Sequence, residues 1–543
     1  MGVLSRNDSR QWQIVDNLSY AAGAHRFRTG VDYRWFAPIT ILPRFIYLFT
    51  FPSIYGPTGV YSGTIPQAGA FFDNIPETAF VVEAFSAYAQ DTWRASKRLS
   101  LTYGLRWELN PAPRVSGGQA AITSGAVNAV DSPSPFVPTG KGFYPTSWRN
   151  FAPRLGIGLM LRDGGSKKTM LRVGAGKFFD LGHAGFEGLG FHATTLAVYE
   201  NLPLGSIAGA SPSNQQTLTI SSGTTLGAAS GYRPPYTWQW NATVEQSIGQ
   251  QTFSAGYVGA AGRHLVSWTQ QLEDEAIVGS ISLNNNANSS YHALQLQFNR
   301  RFSSRLHMLL SYTWSHSIDN VSNDTPSQIE GKPLSLLLDP RKRGSSDFDI
   351  RQSLNGSVIA ALPSPRSGVA ARLLRNWTAN GIFFARTAVP TDVLIGGPNY
   401  RPDLVPGQPL YLHGPDYPGG KAINRDAFAM PPDGLDGNLG RNALRGLGAW
   451  QIDFALHREF PLAEKTRMQI RAEAFNILNH PNFSNPGNPA LPGKLALTSD
   501  PGFGSASQML ATGLSPAGVL GQLSPLLQIG GPRAIQIALR IGF

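Results

Sequence analysis

Gly174 to Phe178 reads GAGKF and comes nearest of any stretch to a phosphate-binding loop. Such a loop needs Gly-x4-Gly-Lys-Ser/Thr, whose backbone amides cradle phosphates and whose hydroxyl holds Mg²⁺. Here Leu171 replaces the first Gly and Phe178 follows the Lys. The glycines read better as small inward-facing or turn residues of a curved strand. No G-x-S-x-G or H-E-x-x-H occurs, so the commonest hydrolase and metalloprotease readings have no sequence support. His307, His316, His457 and His480 are scattered, and satisfied structural imidazoles explain them better than metal ligation. Asp319 to Glu330, with Asn320, Asn323 and Asp324, is rich in oxygen but fails the EF-hand pattern. Arg106 with Glu108, and Arg471 with Glu473, place opposite charges two residues apart. Arg outnumbers Lys by 35 to 10, and its planar fork suits paired carboxylates. Those four residues are therefore assigned to bracing, in preference to ligand contact. No cofactor, metal site or enzymatic activity is expected.

The elements that must carry these residues are strands. Charged residues make up 15% of the 543, against roughly 25% in a soluble globular domain. Gly (59), Pro (40) and aromatics (10%) are abundant, a mixture that suits many strands joined by turns. There is no Cys, which excludes disulfides, thiolate metal sites and a Cys nucleophile. The formal charge of +11 is spread along alternating segments without a basic run, so nucleic acid is not expected as a partner. The longest apolar stretch, Ile39 to Phe51, is broken by Pro43 and Arg44 and falls short of the roughly 20 residues of a spanning helix. The start, MGVLSRNDSRQW, lacks the apolar core of a secretory signal. Either the protein stays inside the cell or a preceding part is missing.

Period two dominates. Leu101, Tyr103, Leu105, Trp107 and Leu109 alternate with Thr102, Gly104, Arg106 and Glu108, giving one oily and one wet face. The pattern recurs around Trp238 to Glu245, Leu306 to Ser315 and Trp450 to His457. These strands are expected to be about ten residues long, above the usual 5 to 6. They come in pairs joined at Tyr20–His25, Arg94–Arg98, Asp163–Lys168, Gly249–Gln251, Ser303–Ser304 and Pro461–Lys465. Between pairs lie seven long segments rich in Gly, Pro, Ser and Asn: 37–78, 110–152, 180–235, 259–290, 319–351, 387–448 and 477–532. Short turns on one side and long loops on the other describe a transmembrane β-barrel, whereas a compact soluble domain rarely holds even one structureless loop that long.

The chain ends on one more alternation: Ile535, Ile537, Leu539, Ile541 and Phe543 face one way, and Gln536, Arg540 and Gly542 the other. This resembles the terminal strand by which outer-membrane barrels are recognised for assembly. The layout gives seven hairpins and a final strand, fifteen in all. Single-chain bacterial barrels have an even number, so the wall is expected to be incomplete on its N-terminal side.

Several runs then carry a family resemblance: SAYAQDTWRASKRLSLTYGLRWE at 86–108, NFAPRLGIG at 150–158, YHALQLQFNRRFSSRLHMLLSYTWSHSIDN at 291–320, RAEAFNILNHPNF at 471–483 and the ending RAIQIALRIGF. Together they span nearly the whole chain, which is similar to the Oar-like branch of TonB-dependent transporters. The resemblance implies a 22-stranded barrel with an internal plug, of which residues 1–543 are the C-terminal portion. Seven strands, the plug, the TonB box and the signal peptide would then precede Met1.

The expected setting is thus the bacterial outer membrane. Its lipids and lipopolysaccharide, the barrel assembly machinery and an unknown extracellular ligand are the expected partners, with the TonB system reached only through the N-terminal part. The expected function is ligand binding and uptake by the intact parent. The alternative is a surface adhesion or interaction protein, or a passive pore.

Overall fold

In the computed structural model the described residues are 6–41, 45–50, 64–73, 77–118, 122–123, 142, 144–180, 194–203, 220–222, 225–228, 232–272, 279–302, 305–322, 343–363, 367–369, 375–395, 401–432, 435, 437–462, 466–487, 494–497, 502–511 and 529–542. Among the described residues fifteen strands of nine residues or more make the wall. They are β1 (Arg6–Ala22), β2 (His25–Ile41), β3 (Glu77–Trp93), β4 (Leu99–Leu109), β5 (Phe151–Gly164), β6 (Lys167–Phe179), β7 (Tyr236–Ile248) and β8 (Gln251–Leu272). They continue as β9 (Gly279–Phe302), β10 (Leu306–Asp319), β11 (Gln352–Ala361), β12 (Trp377–Arg386), β13 (Ala449–Pro461), β14 (Arg467–Phe475) and β15 (Ala534–Gly542).

Each strand pairs antiparallel with the next in sequence, an up-and-down meander from β1 to β15. Among the described residues no pairing joins β15 back to β1, so the sheet is open.

Register keeps the two faces distinct across the wall. One cross-strand row runs Leu99, Leu159, Leu171, Val244, Ala255, Leu296, Tyr312, Leu354, Ala385, Trp450. A row on the opposite face runs Arg172, Thr243, Gly256, Gln295, Thr313, Ser353, Arg386. A slip of one residue in any strand would exchange its two faces, and this requirement holds the register. Trp12, Trp35, Trp107, Trp240, Trp314 and Trp450 lie toward the long-loop ends of their strands, and Trp93 and Trp377 at short-turn ends. Two bands of amphipathic rings suit the two interfaces of a bilayer.

The short turns fall where the sequence places them. Gly23, Gly165 and Gly249 each open a two-residue connection at positive φ (59°, 51° and 59°), which a Gly in first position allows without steric cost. The seventh connection, between Ala361 and Trp377, is longer, and among its described residues Gly368 and Asn376 take positive φ (87° and 65°).

The strand lengths differ from expectation: β1, β2 and β3 have 17 residues each, and β8 and β9 have 22 and 24. The expected loop over 259–290 is largely a continuation of this last hairpin. Its register breaks between Gly262 and Ser267, so the alternation there is irregular and hides the strands. The other long segments are not structureless either. Strands at Phe45–Thr50, Thr64–Asp73, Thr194–Pro203 and Ile220–Ser222 form a separate four-stranded sheet joining two loops.

Candidate functional site

Past the ends of β10, β12 and β14, three consecutive loops fuse into one cap. Its centre is a core of Val393, Ile395, Ile423, Phe428, Leu439, Leu444, Leu495 and Leu497, all at most 7% exposed. Asp392–Leu394 of one loop pairs in parallel with Lys494–Ala496 of another. The cap has its own apolar interior, and loops that bury such a core are held far more firmly than solvated ones.

Ionic contacts tie the cap to the wall. Arg441 donates to Asp319 Oδ1 at 2.6 Å and to the Asp319 carbonyl at 3.0 Å, and its Nη2 reaches Ser322 and, at 3.4 Å, Asp347. Arg445 donates to Asp349 Oδ2 at 2.6 Å and to Ser345 at 3.1 Å. Asp349 Oδ1 in turn accepts from the backbone N–H of Ser317 at 2.6 Å. Within the cap itself Arg401 donates to Asp392 at 3.0 Å. Buried charges are tolerated because each is paired and hydrogen-bonded. The oxygen-rich start at Asp319 is therefore neutralised by a guanidinium. Asn323, Asp324 and Glu330 lie outside the described residues.

The run from Arg471 to Phe483 makes the join between β14 and the cap. Asn476 and Asn479 take positive φ (48° and 51°), a conformation Asn tolerates better than most residues. Asn476 donates to the His480 and Gly531 carbonyls (2.8 and 2.9 Å) and accepts from the His480 N–H at 3.0 Å. Asn482 exchanges hydrogen bonds with the backbone of Trp450 at 2.9 and 3.0 Å. The motif is a turn that satisfies its own backbone.

On the polar face of the wall, Arg106 Nε donates to Glu108 at 3.0 Å and Arg106 Nη2 lies 3.9 Å from Asp32. Asp32 also accepts from Gln13 at 2.7 Å and from Arg34 at 3.0 Å. Arg471 and Glu473 pair at 2.5 Å. Both sequence-predicted pairs lie along one strand. Arg106 also reaches across strands to Asp32, passing over β3. The four histidines do not converge: His316 meets Ser345, His457 meets Asn380, His480 stacks on Trp450, and His307 sits on β10. Gly174 to Phe178 lies inside β6, where a Cβ on Gly174 would meet Asn241 of β7 at 2.6 Å. Ile535, Ile537, Leu539 and Ile541 share one face of β15, opposite Ala474, Ala472, Ile470 and Met468. Phe543 lies outside the described residues.

The profile of the outer membrane beta barrel domain matches residues 2–515. The chain belongs to this outer-membrane β-barrel family. It is an integral protein of the bacterial outer membrane, and the apolar face of its wall is the one lipid can cover. No curated protein matches it. Among solved structures it is similar to the copper transporter OprC at 10% identity, covering 99% of this chain and 57% of that one, with a TM-score of 0.47. The siderophore receptor PiuA from Acinetobacter baumannii gives 11%, 99%, 56% and 0.47, and the ferric citrate transporter FecA 10%, 99%, 55% and 0.43. The chain spans a little over half the length of these structures.

The cap was hidden from sequence reasoning. Asp347, Asp349, Asp392, Arg401, Arg441 and Arg445 carry no motif, and the one available signal is the spacing of Arg441 and Arg445 in RNALR against DFD at 347–349.

Proposed function

We propose that this chain is the C-terminal part of an Oar-like TonB-dependent transporter, supplying most of the barrel wall and an extracellular cap. The intact parent binds a ligand outside and admits it when its plug is drawn by the TonB system. The fused cap carries the reading, because binding is usually placed on loops that a rigid scaffold holds in position. The open, odd-numbered sheet supports an assignment of the remaining strands to the rest of the parent. Arg106, Glu108, Arg471 and Glu473 brace the lumen wall. The terminal strand from Ile535 to Phe543 serves the barrel assembly machinery, and lipid and lipopolysaccharide cover the apolar face.

Planar-bilayer conductance of the intact parent tests the reading against its main alternative. A plugged transporter gives a closed channel, and uptake of a metal-chelate or oligosaccharide panel stops when TonB is removed. Steady conductance with TonB-independent uptake would make the protein a passive pore. Adhesion to matrix with neither property would make it a surface interaction protein.

A further inference from the structure

One polar cluster lies on the apolar face of the wall, where only lipid is available to cover it. Asp91 of β3 is on that face, opposite Phe27 and Tyr103 in the register of β2 and β4. Its Oδ2 lies 2.6 Å from His25 Nδ1 and accepts from the Tyr103 hydroxyl at 2.9 Å. The side chain is 5% exposed. Its Oδ1 accepts no well-formed hydrogen bond, although the Arg26 backbone amide bears on the carboxylate. His25 is stacked between Phe27 and Trp93, with ring centroids 5.6 Å apart on both sides.

Beside the cluster runs an open groove of ≈ 700 Å³ with an overwhelmingly apolar lining. Its floor is the cross-strand pair Thr29 and Ala89. These are the small side chains of a row flanked by Leu18 and Leu105. The Thr29 hydroxyl is turned away to the Tyr88 carbonyl at 2.8 Å, which leaves its methyl to the groove. Asp91, the last residue of β3 in the lining, stands three residues before the short turn at 94–98, where Arg94, Lys97 and Arg98 are exposed. In an outer-membrane barrel short turns lie on the periplasmic side, so this is the level of the inner leaflet headgroups.

We propose that this groove holds a phospholipid of the periplasmic leaflet whose headgroup carries a primary ammonium. The acyl chain lies over Thr29 and Ala89. The ammonium sits at Asp91, whose carboxylate has acceptor capacity left, and the phosphate faces the basic turn. A headgroup with no cation leaves Asp91 with only its His25 and Tyr103 contacts and is the weaker ligand.

The test is native mass spectrometry of the intact parent released from nanodiscs made with equal ethanolamine and glycerol phospholipids. The expected result is one retained lipid, with the ethanolamine class enriched at least fivefold. Asp91→Asn should abolish that enrichment while lipid is still retained, and Ala89→Leu should remove the retained lipid of either class. Leu296→Ala, on the same face but away from the groove, should change neither and reports on folding. If Asp91→Asn fails to reach the membrane, the wild-type class ratio and Ala89→Leu still decide. No retained lipid, equal retention of both classes, or a lipid-free dimer meeting through this groove would overturn the proposal.

Discussion

Arg441 donates to Asp319 at 2.6 Å across 122 residues of sequence, and both side chains are almost wholly buried. One strand of the wall, β10, thereby holds the cap that follows β12. Removing one partner of a buried pair leaves the other charge uncompensated, which costs about 3 to 5 kcal/mol. Arg441→Met should therefore loosen the cap while β1 to β15 stay paired. Limited proteolysis would show new cleavage within 401–432 with the heat-modifiable mobility of the barrel unchanged. The double change Asp319→Leu and Arg441→Met should recover part of the protection.

Asn476 tests the turn between β14 and the cap. Its side chain makes three hydrogen bonds, and its backbone holds φ at 48°. Asn476→Gly keeps the conformation and loses the bonds, whereas Asn476→Ala loses both. With about 1 to 3 kcal/mol for each buried group left unsatisfied, and further strain for Ala at positive φ, Ala should be the more damaging. Urea midpoints of the parent in detergent micelles should rank wild type above Gly above Ala. Equal midpoints for all three would remove the structural account of this motif.

Those two sites show what was legible in advance. The wall was readable because a strand with one face in lipid must alternate at every step, as Leu101 to Leu109 do. The short turns were readable because a two-residue connection needs a Gly such as Gly23 or Gly249. The hairpin over 259–290 was missed because Gly259, Ala260, Ala261 and Gly262 give no contrast between faces. The cap was missed for a different reason. Its order comes from contacts such as Arg441 with Asp319 and Val393 with Leu495, whose partners stand about 100 residues or more apart. No local period records such a contact, and the Gly- and Pro-rich composition around it reads as loop.

Gly356 and Gly381 form a contrasting pair on the apolar face. A Cβ on Gly356 of β11 would run into the Phe383 ring of the neighbouring strand, while one on Gly381 of β12 meets nothing within 4 Å. Gly356→Ala should then cost about 1 to 3 kcal/mol through overpacking. Gly381→Ala should be neutral or stabilise by about 0.4 to 1 kcal/mol, through a less flexible unfolded chain. Denaturant titration of the two variants checks the order, and a harmless Gly356→Ala would mean that Phe383 is free to move away.

The pair Arg471 and Glu473, proposed to brace the lumen wall, should contribute little by itself. Arg471 is 42% exposed, so solvent screens the 2.5 Å contact. Exposed pairs are worth about 0.2 to 1 kcal/mol. Glu473→Gln is expected to shift the unfolding free energy by no more than that, and less in high salt. A loss several times larger would show that the pair belongs to a wider network on the lumen face.

The final strand tests the facing of the whole wall. Ile537 is opposite Ala472 on the apolar face, and Gln536 is opposite Glu473 on the polar one. Lys on the lipid face near the midplane costs roughly 2 to 4 kcal/mol, while water in the lumen solvates it at far lower cost. Ile537→Lys should therefore impair assembly of the intact parent and Gln536→Lys should not. A protein core behind Ile537 would also reject Lys, so Ile537→Trp separates the two cases. Lipid accommodates the larger ring, whereas overpacking a closed core costs about 1 to 3 kcal/mol. The amount of heat-modifiable barrel recovered from outer membranes reads all three. Near-normal recovery for Ile537→Trp and Gln536→Lys, with a severe loss for Ile537→Lys, is the expected pattern. If Trp proves as damaging as Lys, Ile537 packs against protein and the apolar face of the wall is not the lipid face.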